Sequence, residues 1–583
     1  MINYKISFRP LSHEYQITLS FKQDNDFPIE FSLPNWVLGS YLIRDLSRHI
    51  TQLSAFCNET GVALAQLSKN KWRANGQKGE WQICYTVYAF DLSVRGAFLT
   101  TERGFFDGAC VFLKIHGYET CSHNVTLQDL PTRWQIATTL PQTGPVHFQT
   151  ASYAELIDHP VETGNIEFLE FTAADISHRI ALSGFHRDFD RLRFISDIKK
   201  ICETELAMFP KPAPFQEYLF MLHVGDNIWG GLEHISSTAL LADRNSLPPH
   251  NMGETHEAYI QLLGLFSHEY FHAWNVKSIK PEVFVSYNPD QENYTEQLWA
   301  FEGITSYYDD LFLARSGVIG SNAYLHLLGQ AITRVQHTRG RLKQTLAESS
   351  FTAWNKFYKQ DENSANAIVS YYQKGALAAL CLDLLIRQKS SGRHSLDTVM
   401  QQHYRDWRNT GKGIPEQLWQ VRCQEITGLD LALFFQTALY STDDLPLKEC
   451  LANAGVVLDW QPLPRSHGGG LAVESACVKP ASDIGARFKQ NSDGATLTHI
   501  FNGGSAESAA LCPQDKIIAL NGYACNDLAA QWAQLAVGER ATLHFFRAGV
   551  LHQAHITVQA VEADTALLKV ADKDLLDKWL FNR

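Results

Sequence analysis

The chain changes its residue pattern twice, and these changes constrain its fold more than any other feature. Residues 1 to about 165 favour strands, because segments rich in β-branched and aromatic residues alternate with Asn, Gly and Pro clusters. Helical periodicity dominates beyond Pro249, and short strand-like segments return after residue 470. With 583 residues the chain is too long for one hydrophobic core. The pattern therefore predicts a multidomain α+β protein.

We predict six segments along the chain. The run QPLPRSHGGG combines Pro, Ser and three Gly, which is typical of a linker. Strands are expected at Tyr15–Phe21, Trp81–Ala89 and Ala109–Ile115. The predicted boundaries are an all-β domain at 1–165, a central domain at 166–390, a helical segment at 391–460, the linker at 461–475, a small β domain at 476–562 and a C-terminal tail at 563–583.

Charge and cysteine usage restrict the class of partner and the compartment. The net charge is −12 without a long basic run, and a surface of that sign repels phosphate backbones. Eleven cysteines occur singly, with no C-x-x-C pair, which argues for a reducing compartment. The most apolar run, Ala376 to Ile386, is shorter than the roughly 20 residues that cross a bilayer. We expect a cytoplasmic protein that binds neither nucleic acid nor membrane.

The pentapeptide His268-Glu-Tyr-Phe-His272 carries the strongest chemical signal. Histidines at i and i+4 share one face of a helix and can bind a single Zn²⁺ through their ring nitrogens. Glu269 stands beside them as the general base for a metal-activated water. The alternative is two ordinary histidines on an amphipathic helix. Asn251 with Glu254 has the spacing of a capping box that would begin this helix.

A catalytic zinc ion usually has three protein ligands and an open position. Glu302 is our third ligand, because a carboxylate among Trp299, Phe301 and Ile304 needs a cation or a donor nearby. Asp309 follows it on the same helical face and is either a supporting residue or a solvated charge. The other candidate ligands between the motif and Glu302 are Glu282, Asp290, Glu292 and Glu296, the last of which we expect to cap a helix beginning at Asn293.

Two further patterns suit peptide hydrolysis. The paired Gly230 and Gly231 follow a buried strand and would let a substrate backbone approach closely, while Glu233 would bind a free α-amino group. The alternative is a tight turn before an exposed carboxylate. In Tyr371-Tyr-Gln-Lys-Gly375, the hydroxyl of Tyr372 would donate to an oxyanion, although a tyrosine at a helix start also serves packing.

Taken in order, GGLEH, HEYFHAWNVKSIKP, FEGITSYYDDL and YYQKGAL resemble the glycyl aminopeptidase family, which is related to the aminopeptidase N type of zinc enzymes. GSYLIRDLSRH also resembles the N-terminal β domain of that family. The resemblance implies a thermolysin-like catalytic domain, one zinc ion on His268, His272 and Glu302, and peptide substrates with small N-terminal residues such as Gly and Ala. Two features depart from the aminopeptidase N pattern: His234 replaces an Asn, and 29 residues separate His272 from Glu302.

The C-terminal part resembles a PDZ domain. GGSAESAAL at 503–511 and DKIIALNG at 515–522 match the bacterial PDZ pattern, and Gly485 to Phe488 would form the loop that binds a chain terminus. A domain that only packs on the rest of the protein is the alternative. Three functions therefore remain open: a zinc aminopeptidase, a zinc endopeptidase that receives chains from its PDZ domain, and a non-catalytic peptide-binding scaffold.

Overall fold

A computed structural model of the chain describes residues 1–253, 255–472 and 481–581. The chain forms two compact units: Met1–Asn293 with His403–Ile414, and Tyr294–Gln402 with Pro415–Arg583. The division falls within the helix Leu396–Thr410. Glu254, the end of the predicted linker, the first residues of the predicted small β domain and the last two residues of the chain lie outside the described residues.

Within the described residues, the first unit has four β-sheets, so the N-terminal part is β-rich. Neighbouring strands in the largest sheet are Gln142–Gly144, His147–Thr150, His123–Gln128, Ile2–Arg9, Glu14–Gln23, Gly79–Tyr88, Ile50–Cys57 and Thr60–Val62. Two smaller sheets have four strands each. The strand order of one is Gln135–Ala137, Val161–Gly164, Arg103–Phe106 and Ala97–Leu99. The strand order of the other is Lys114–Ile115, Ile29–Ser32, Lys71–Ala74 and Leu64–Ser68. The fourth sheet has the order Glu167–Ala173, Ile176–Ser183, Glu217–Gly225, Ser237–Asp243 and Gly230–Glu233.

Alternation of apolar and polar residues explains the large sheet. Every second residue of Ile2–Arg9 is buried, and Tyr4, Ile6 and Phe8 enter a continuous hydrophobic core.

The predicted strand Ala109–Ile115 is wrong in its first half. Asp107 instead caps the short helix Gly108–Val111 by accepting a hydrogen bond from the backbone N–H of Ala109 at 2.9 Å.

The fourth sheet supports the candidate site. Its outermost strand, Gly230–Glu233, which we call the edge strand, pairs antiparallel with Ser237–Asp243. The helix Glu257–Phe271, which we call the motif helix, packs on both of these strands. The remaining helices of this unit are Arg191–Met208, Tyr153–Ile157 and the 3₁₀ turns Leu46–His49, Arg244–Ser246 and Glu282–Phe284.

The second unit begins with helices. A π-helical turn, Trp299–Gly303, runs directly into the helix Ile304–Arg315. Gln373–Lys389 is buried almost all round, as its apolar sequence predicts. The other helices are Ser321–Gln336, Arg339–Leu342 (3₁₀), Leu346–Phe351, Ser364–Ala367, Leu418–Thr427, Ala432–Tyr440, Leu447–Asn453, Ser505–Ser508, Leu528–Trp532 and Lys573–Phe581.

Strands return after these helices, as the sequence pattern indicates. Val456–Gln461, Thr565–Val570 and Gly470–Leu471 form one small sheet, so Gly470 and Leu471 from the predicted linker stretch are paired residues. A two-stranded sheet pairs Ser482–Asp483 with Gln559–Ala560. The main C-terminal sheet has the order Ala486–Asn491, Gly494–Ile500, Lys516–Leu520, Arg540–Arg547 and Val550–Thr557, with Tyr523–Ala524 paired to Lys516–Leu520. In the part of the chain that the structure describes, no helix has the length and apolarity needed to cross a membrane.

Candidate metal and catalytic site

The motif helix presents its two histidines on one face. The Nε2 atoms of His268 and His272 lie 3.0 Å apart. Two nitrogen ligands on one tetrahedral zinc ion lie about 3.3 Å apart, so this pair suits a shared metal ion. His272 Nδ1 lies 2.7 Å from the carbonyl oxygen of Asn275. That contact places the ring proton on Nδ1, which leaves the lone pair of Nε2 for a metal.

The motif helix begins later than the sequence predicts. Its N-cap is His256, whose Nδ1 accepts a hydrogen bond from the backbone N–H of Tyr259 at 3.1 Å. Asn251 has a φ of 60°, whereas an N-cap residue typically has an extended backbone. The cap predicted at Asn251 is therefore wrong.

Glu269 lies buried against the edge strand. It is 5% exposed, and its Oε2 atom has no hydrogen-bond partner among the residues that the structure describes. A Cβ atom at Gly231 would overlap the carboxylate of Glu269, so a larger residue at that position would displace this side chain. Burial raises the pKa of Glu269 to about 7, with the two motif histidines opposing the shift and Glu233 adding to it.

Glu233 ends the edge strand and is also buried, with 3% exposed. The alternative of an exposed carboxylate after a turn is therefore wrong. Its Oε1 atom has no hydrogen-bond partner in the described parts of the chain. Atoms of Glu233, Glu269 and His272 lie within 4.8 Å of one another, so this unit gathers two carboxylates and an imidazole at one point.

Two residues of the N-terminal part also contribute to this point, and our sequence reasoning missed both. A Cβ atom at Gly39 would overlap the carboxylate of Glu233, and the φ of Gly39, +94°, also favours glycine. Arg95 donates a hydrogen bond to the carbonyl oxygen of Gly231 at 2.6 Å and lowers the pKa of Glu269 through its charge. Gly39 is the first residue of GSYLIRDLSRH, and the resemblance of that stretch to the family was the one sequence feature that could have pointed to it. No sequence feature pointed to Arg95.

His234, where the aminopeptidase N pattern has Asn, belongs to a buried charge network. It is 2% exposed, and its Nδ1 atom lies 3.3 Å from Asp158 Oδ1. Lys277 contacts the same carboxylate at 2.5 Å. Burial would raise the pKa of Asp158, but Lys277 and His234 outweigh it and hold that pKa well below its usual range. Asp158 therefore stays ionised and fixes the chain just after Glu233.

The second unit contains the other two predicted site residues. Glu302 lies in the π-helical turn and is 2% exposed. Gly303 follows it, and a Cβ atom there would lie 2.6 Å from the Cα atom of Gly375. The two glycines therefore let the turn and the helix Gln373–Lys389 approach closely, which brings the FEG and YYQKG motifs together. π-Helical turns are frequent at functional sites.

Tyr372 is the N-cap residue of that helix, and its hydroxyl lies 3.2 Å from the hydroxyl of Tyr358. Burial raises the pKa of Tyr372 well above its usual value, and the nearby charge of Glu302 adds to the shift. The phenol is thus a protonated hydrogen-bond donor at any physiological pH.

The other acidic residues suggested as ligands differ from Glu302. Glu282 is exposed, and Asp290 accepts a hydrogen bond from the side chain of Asn70 at 2.6 Å. Glu292 and Glu296 are only partly buried, and so is Asp309, which we expected to be a supporting residue or a solvated charge. The start predicted at Asn293 for the helix that contains Glu302 is wrong, because the helical residues begin at Trp299. Asn293 instead donates to the carbonyl oxygens of Asn288 and Gln291 and closes a loop.

Comparison with known proteins identifies the family of the chain. Two family descriptions match the sequence: M61 glycyl aminopeptidase over residues 261–378, and the peptidase M61 N-terminal domain over residues 3–165. A crystal structure of an aminopeptidase N family protein from Idiomarina loihiensis is 38% identical, with full coverage of both chains and a TM-score of 0.95. An M1 zinc metallopeptidase from Deinococcus radiodurans is 12% identical over 76% of this chain and 94% of its own, with a TM-score of 0.47. No curated protein sequence matched.

The class defined by these findings is that of the metallopeptidases, which are enzymes that hydrolyse peptides. Within that class, the chain belongs to the M61 glycyl aminopeptidase family.

Proposed function

We propose that the chain is a zinc-dependent aminopeptidase that removes N-terminal residues from peptides, with a preference for Gly and Ala. The observation that carries the proposal is the pair of histidine Nε2 atoms 3.0 Å apart, next in sequence to Glu269, whose buried carboxylate oxygen has no hydrogen-bond partner among the residues described. Buried polar atoms are rarely left without partners, and a ligand or a metal is a common explanation. The family description supports the Gly preference.

One zinc ion would be held by His268, His272 and Glu302. The two imidazole nitrogens and a buried carboxylate are a donor set typical of catalytic zinc. Bound zinc would supply the Lewis acidity that polarises a peptide carbonyl and makes water a nucleophile near neutral pH. The close packing of Gly303 on Gly375 fixes the backbone of the turn that carries Glu302, which suits a ligand that must not move.

The remaining residues take roles that follow from their chemistry. Glu269 accepts a proton from the attacking water and passes it to the leaving amine, for which a pKa near neutrality is suitable. Glu233 binds the α-ammonium group of the substrate. Tyr372 donates a hydrogen bond to the oxyanion. Gly230 and Gly231 let the substrate backbone lie along the edge strand.

Metal analysis and peptide cleavage test the proposal. We expect about one zinc ion per chain, and Glu302→Gln should lower zinc affinity, whereas the matched control Glu296→Gln should not. Peptides with a free N-terminus should be cleaved and their N-acetylated forms should not. Equal cleavage of both forms would exclude an aminopeptidase and leave an endopeptidase. Purified protein that neither holds nor takes up zinc would favour a scaffold.

We also propose that the C-terminal sheet, its helices and its loops form a PDZ domain that binds a peptide C-terminus. Its first strand, Ala486–Asn491, pairs on one side with Gly494–Ile500 and ends the order of the main sheet, which suits addition of a ligand strand. Gly485 has a φ of +73° and packs on Gly504. A peptide with a free C-terminus should bind, and its C-terminal amide should not; equal binding of the two would exclude this role.

A cytoplasmic location is proposed on cysteine usage. The ten cysteines within the described residues are free thiols, in keeping with a reducing compartment.

A further inference from the structure

Lys374 lies in the second unit and carries a charged group that is buried among the described residues without a hydrogen-bond partner there. It is 2% exposed, and its Nζ atom has no hydrogen-bond partner among residues 1–253, 255–472 and 481–581. Lysine is almost never fully buried without a partner, because an unpaired ammonium loses its hydration. The burial of this ammonium group therefore requires a physical explanation.

The helix that carries Lys374 does not stabilise its charge. Lys374 is in the first turn of the helix Gln373–Lys389, where the helix dipole disfavours a positive charge. Burial lowers the pKa of Lys374, while Asp444 opposes this shift and Arg341 adds to it. A cation kept at such a place points to an anionic partner from outside the chain.

Lys374 lines a cavity of about 200 Å³ that contains a second buried cation. Arg341 is 8% exposed, and its Nε atom lies 3.1 Å from Asp444 Oδ1. Its Nη1 atom is buried and has no hydrogen-bond partner within the described residues. The side chain of Asp444 is 53% exposed, so a large part of its charge is solvated at the mouth of the cavity. Asp443 also acts on Lys374 through its charge, and Glu449 lines the cavity. All three carboxylates are exposed, so the acidic groups near the two buried cations are largely in water.

Apolar residues form about half of the cavity lining, and charged or amide side chains form the rest. The apolar walls consist of Ile332, Val335, Leu377, Leu445, Leu447, Leu458 and Trp460. The exposed residues Lys448 and Glu449 complete the rim. A small inorganic anion would contact the cations and leave these walls unused, whereas an aliphatic group would bury apolar surface against them.

We propose that this cavity binds the carboxylate of a small aliphatic acid. The ammonium of Lys374 and the free Nη1 of Arg341 donate to the carboxylate, and the aliphatic body of the ligand packs on the apolar walls. A branched organic acid and the free form of a branched amino acid share this chemistry. The second also carries an ammonium group, for which the exposed carboxylates of Asp444 and Glu449 are available at the rim.

Thermal unfolding of the full chain with a matched set of ligands tests the site. Isovalerate supplies the carboxylate and the branched chain, L-valine adds an amino group to the same skeleton, and 3-methyl-1-butanol removes the charge. Sodium chloride at equal ionic strength controls for salt. We expect isovalerate to raise Tm by a few degrees in a saturable manner, as a ligand of the folded state does, and chloride and the alcohol to do so far less. A larger rise with L-valine than with isovalerate would identify an amino acid as the ligand; a smaller one would identify a simple acid.

Variants of single cations show whether the response comes from this cavity. Lys374→Met and Arg341→Met remove the charges and keep apolar bulk, and each should abolish the rise with isovalerate. The control Lys389→Met changes an exposed lysine on the same helix and should keep the rise. An equal rise in Lys374→Met and wild type, or no rise in wild type, would refute the proposal.

Hydrogen exchange gives a second readout that needs no variant. Isovalerate should slow exchange in peptides that cover residues 371–377 and 441–449, which contain Lys374 and the rim. Peptides from the C-terminal sheet, such as 540–547, should not change. Unchanged exchange in both cavity peptides at a saturating concentration of isovalerate would also refute the site.

Discussion

Each unit of the molecule contains a buried ionisable group with an unpartnered polar atom in the described residues, and the two groups differ in their surroundings. In the first unit, Glu269 lies beside two histidines and against the backbone of Gly231. In the second unit, Lys374 lies with Arg341 in a cavity whose lining is about half apolar. Burial acts on both, raising the pKa of the acid and lowering that of the base. The difference is that the surroundings of Glu269 are suited to moving a proton, whereas those of Lys374 are suited to holding an anion.

The largest expected effect comes from removing the proposed base. Glu269→Gln keeps the shape of the side chain and both histidines, so bound zinc should remain, while kcat should fall by about 10³-fold or more. Steady-state kinetics and metal analysis of the same preparation measure both. Glu257→Gln, which changes an exposed residue of the same helix, should be unaffected. Turnover at the wild-type rate in Glu269→Gln would assign the base to another residue.

Tyr372→Phe should lower kcat by about 10²–10³-fold with a smaller change in KM, because the lost donor acts mainly on the transition state. The matched control is Tyr358→Phe, which removes the hydroxyl that contacts Tyr372 and leaves the donor itself in place. We expect only a few-fold loss in that control. If the two variants lose activity equally, Tyr372 acts through packing, which was the alternative drawn from its sequence.

Sequence patterns predicted which elements carry the candidate site residues. They predicted less well where those elements end and which distant residues they contact. The i, i+4 histidines and the preceding apolar run predicted the motif helix, because both depend on local periodicity. The first residue of the helix was wrong because spacing alone cannot show that Asn251 has a left-handed backbone. Whether His268, His272 and Glu302 bind one metal stays a prediction.

Contacts between residues distant in the chain could not be predicted from local sequence patterns. Nothing near Gly39 shows that its α-carbon lies against Glu233, and nothing near Arg95 shows that it binds the carbonyl oxygen of Gly231. Lys374 was visible as part of YYQKG, but its burial depends on helices and strands far along the sequence.

Gly231→Ala separates the two glycines of the edge strand. A Cβ atom at Gly231 would displace the carboxylate of Glu269, and a displacement of about 1 Å in a catalytic group costs roughly 10²-fold in kcat. At Gly230 a Cβ atom would meet only Val94, at 3.9 Å. Gly230→Ala should therefore change KM through the substrate backbone and leave kcat nearly intact. A kcat loss that is equal in the two variants would show that Glu269 does not depend on Gly231.

The raised pKa of Glu269 predicts how the stability of metal-free protein depends on pH. The unfolded chain loses this proton near the ordinary value of 4.5, whereas the folded protein keeps it until about 7. Between these values the unfolded state binds fewer protons, so the free energy of unfolding falls as pH rises, by about 1–3 kcal/mol in total. Denaturant unfolding in the presence of a chelator measures this. Glu269→Gln should remove most of the slope, and an unchanged slope would assign it to the histidines.

Lys374→Met should give the smallest effect, and we expect this variant to be more stable than the wild type. The variant replaces an unpaired buried ammonium with an apolar chain of similar length, so without added ligand the free energy of unfolding should rise by about 1 kcal/mol. Denaturant titration at low salt measures it, and Lys389→Met should change nothing. A drop in stability would mean that Lys374 has a partner in the folded chain. It would also remove the contrast with Glu269, because only one of the two buried charges would then depend on a ligand from outside.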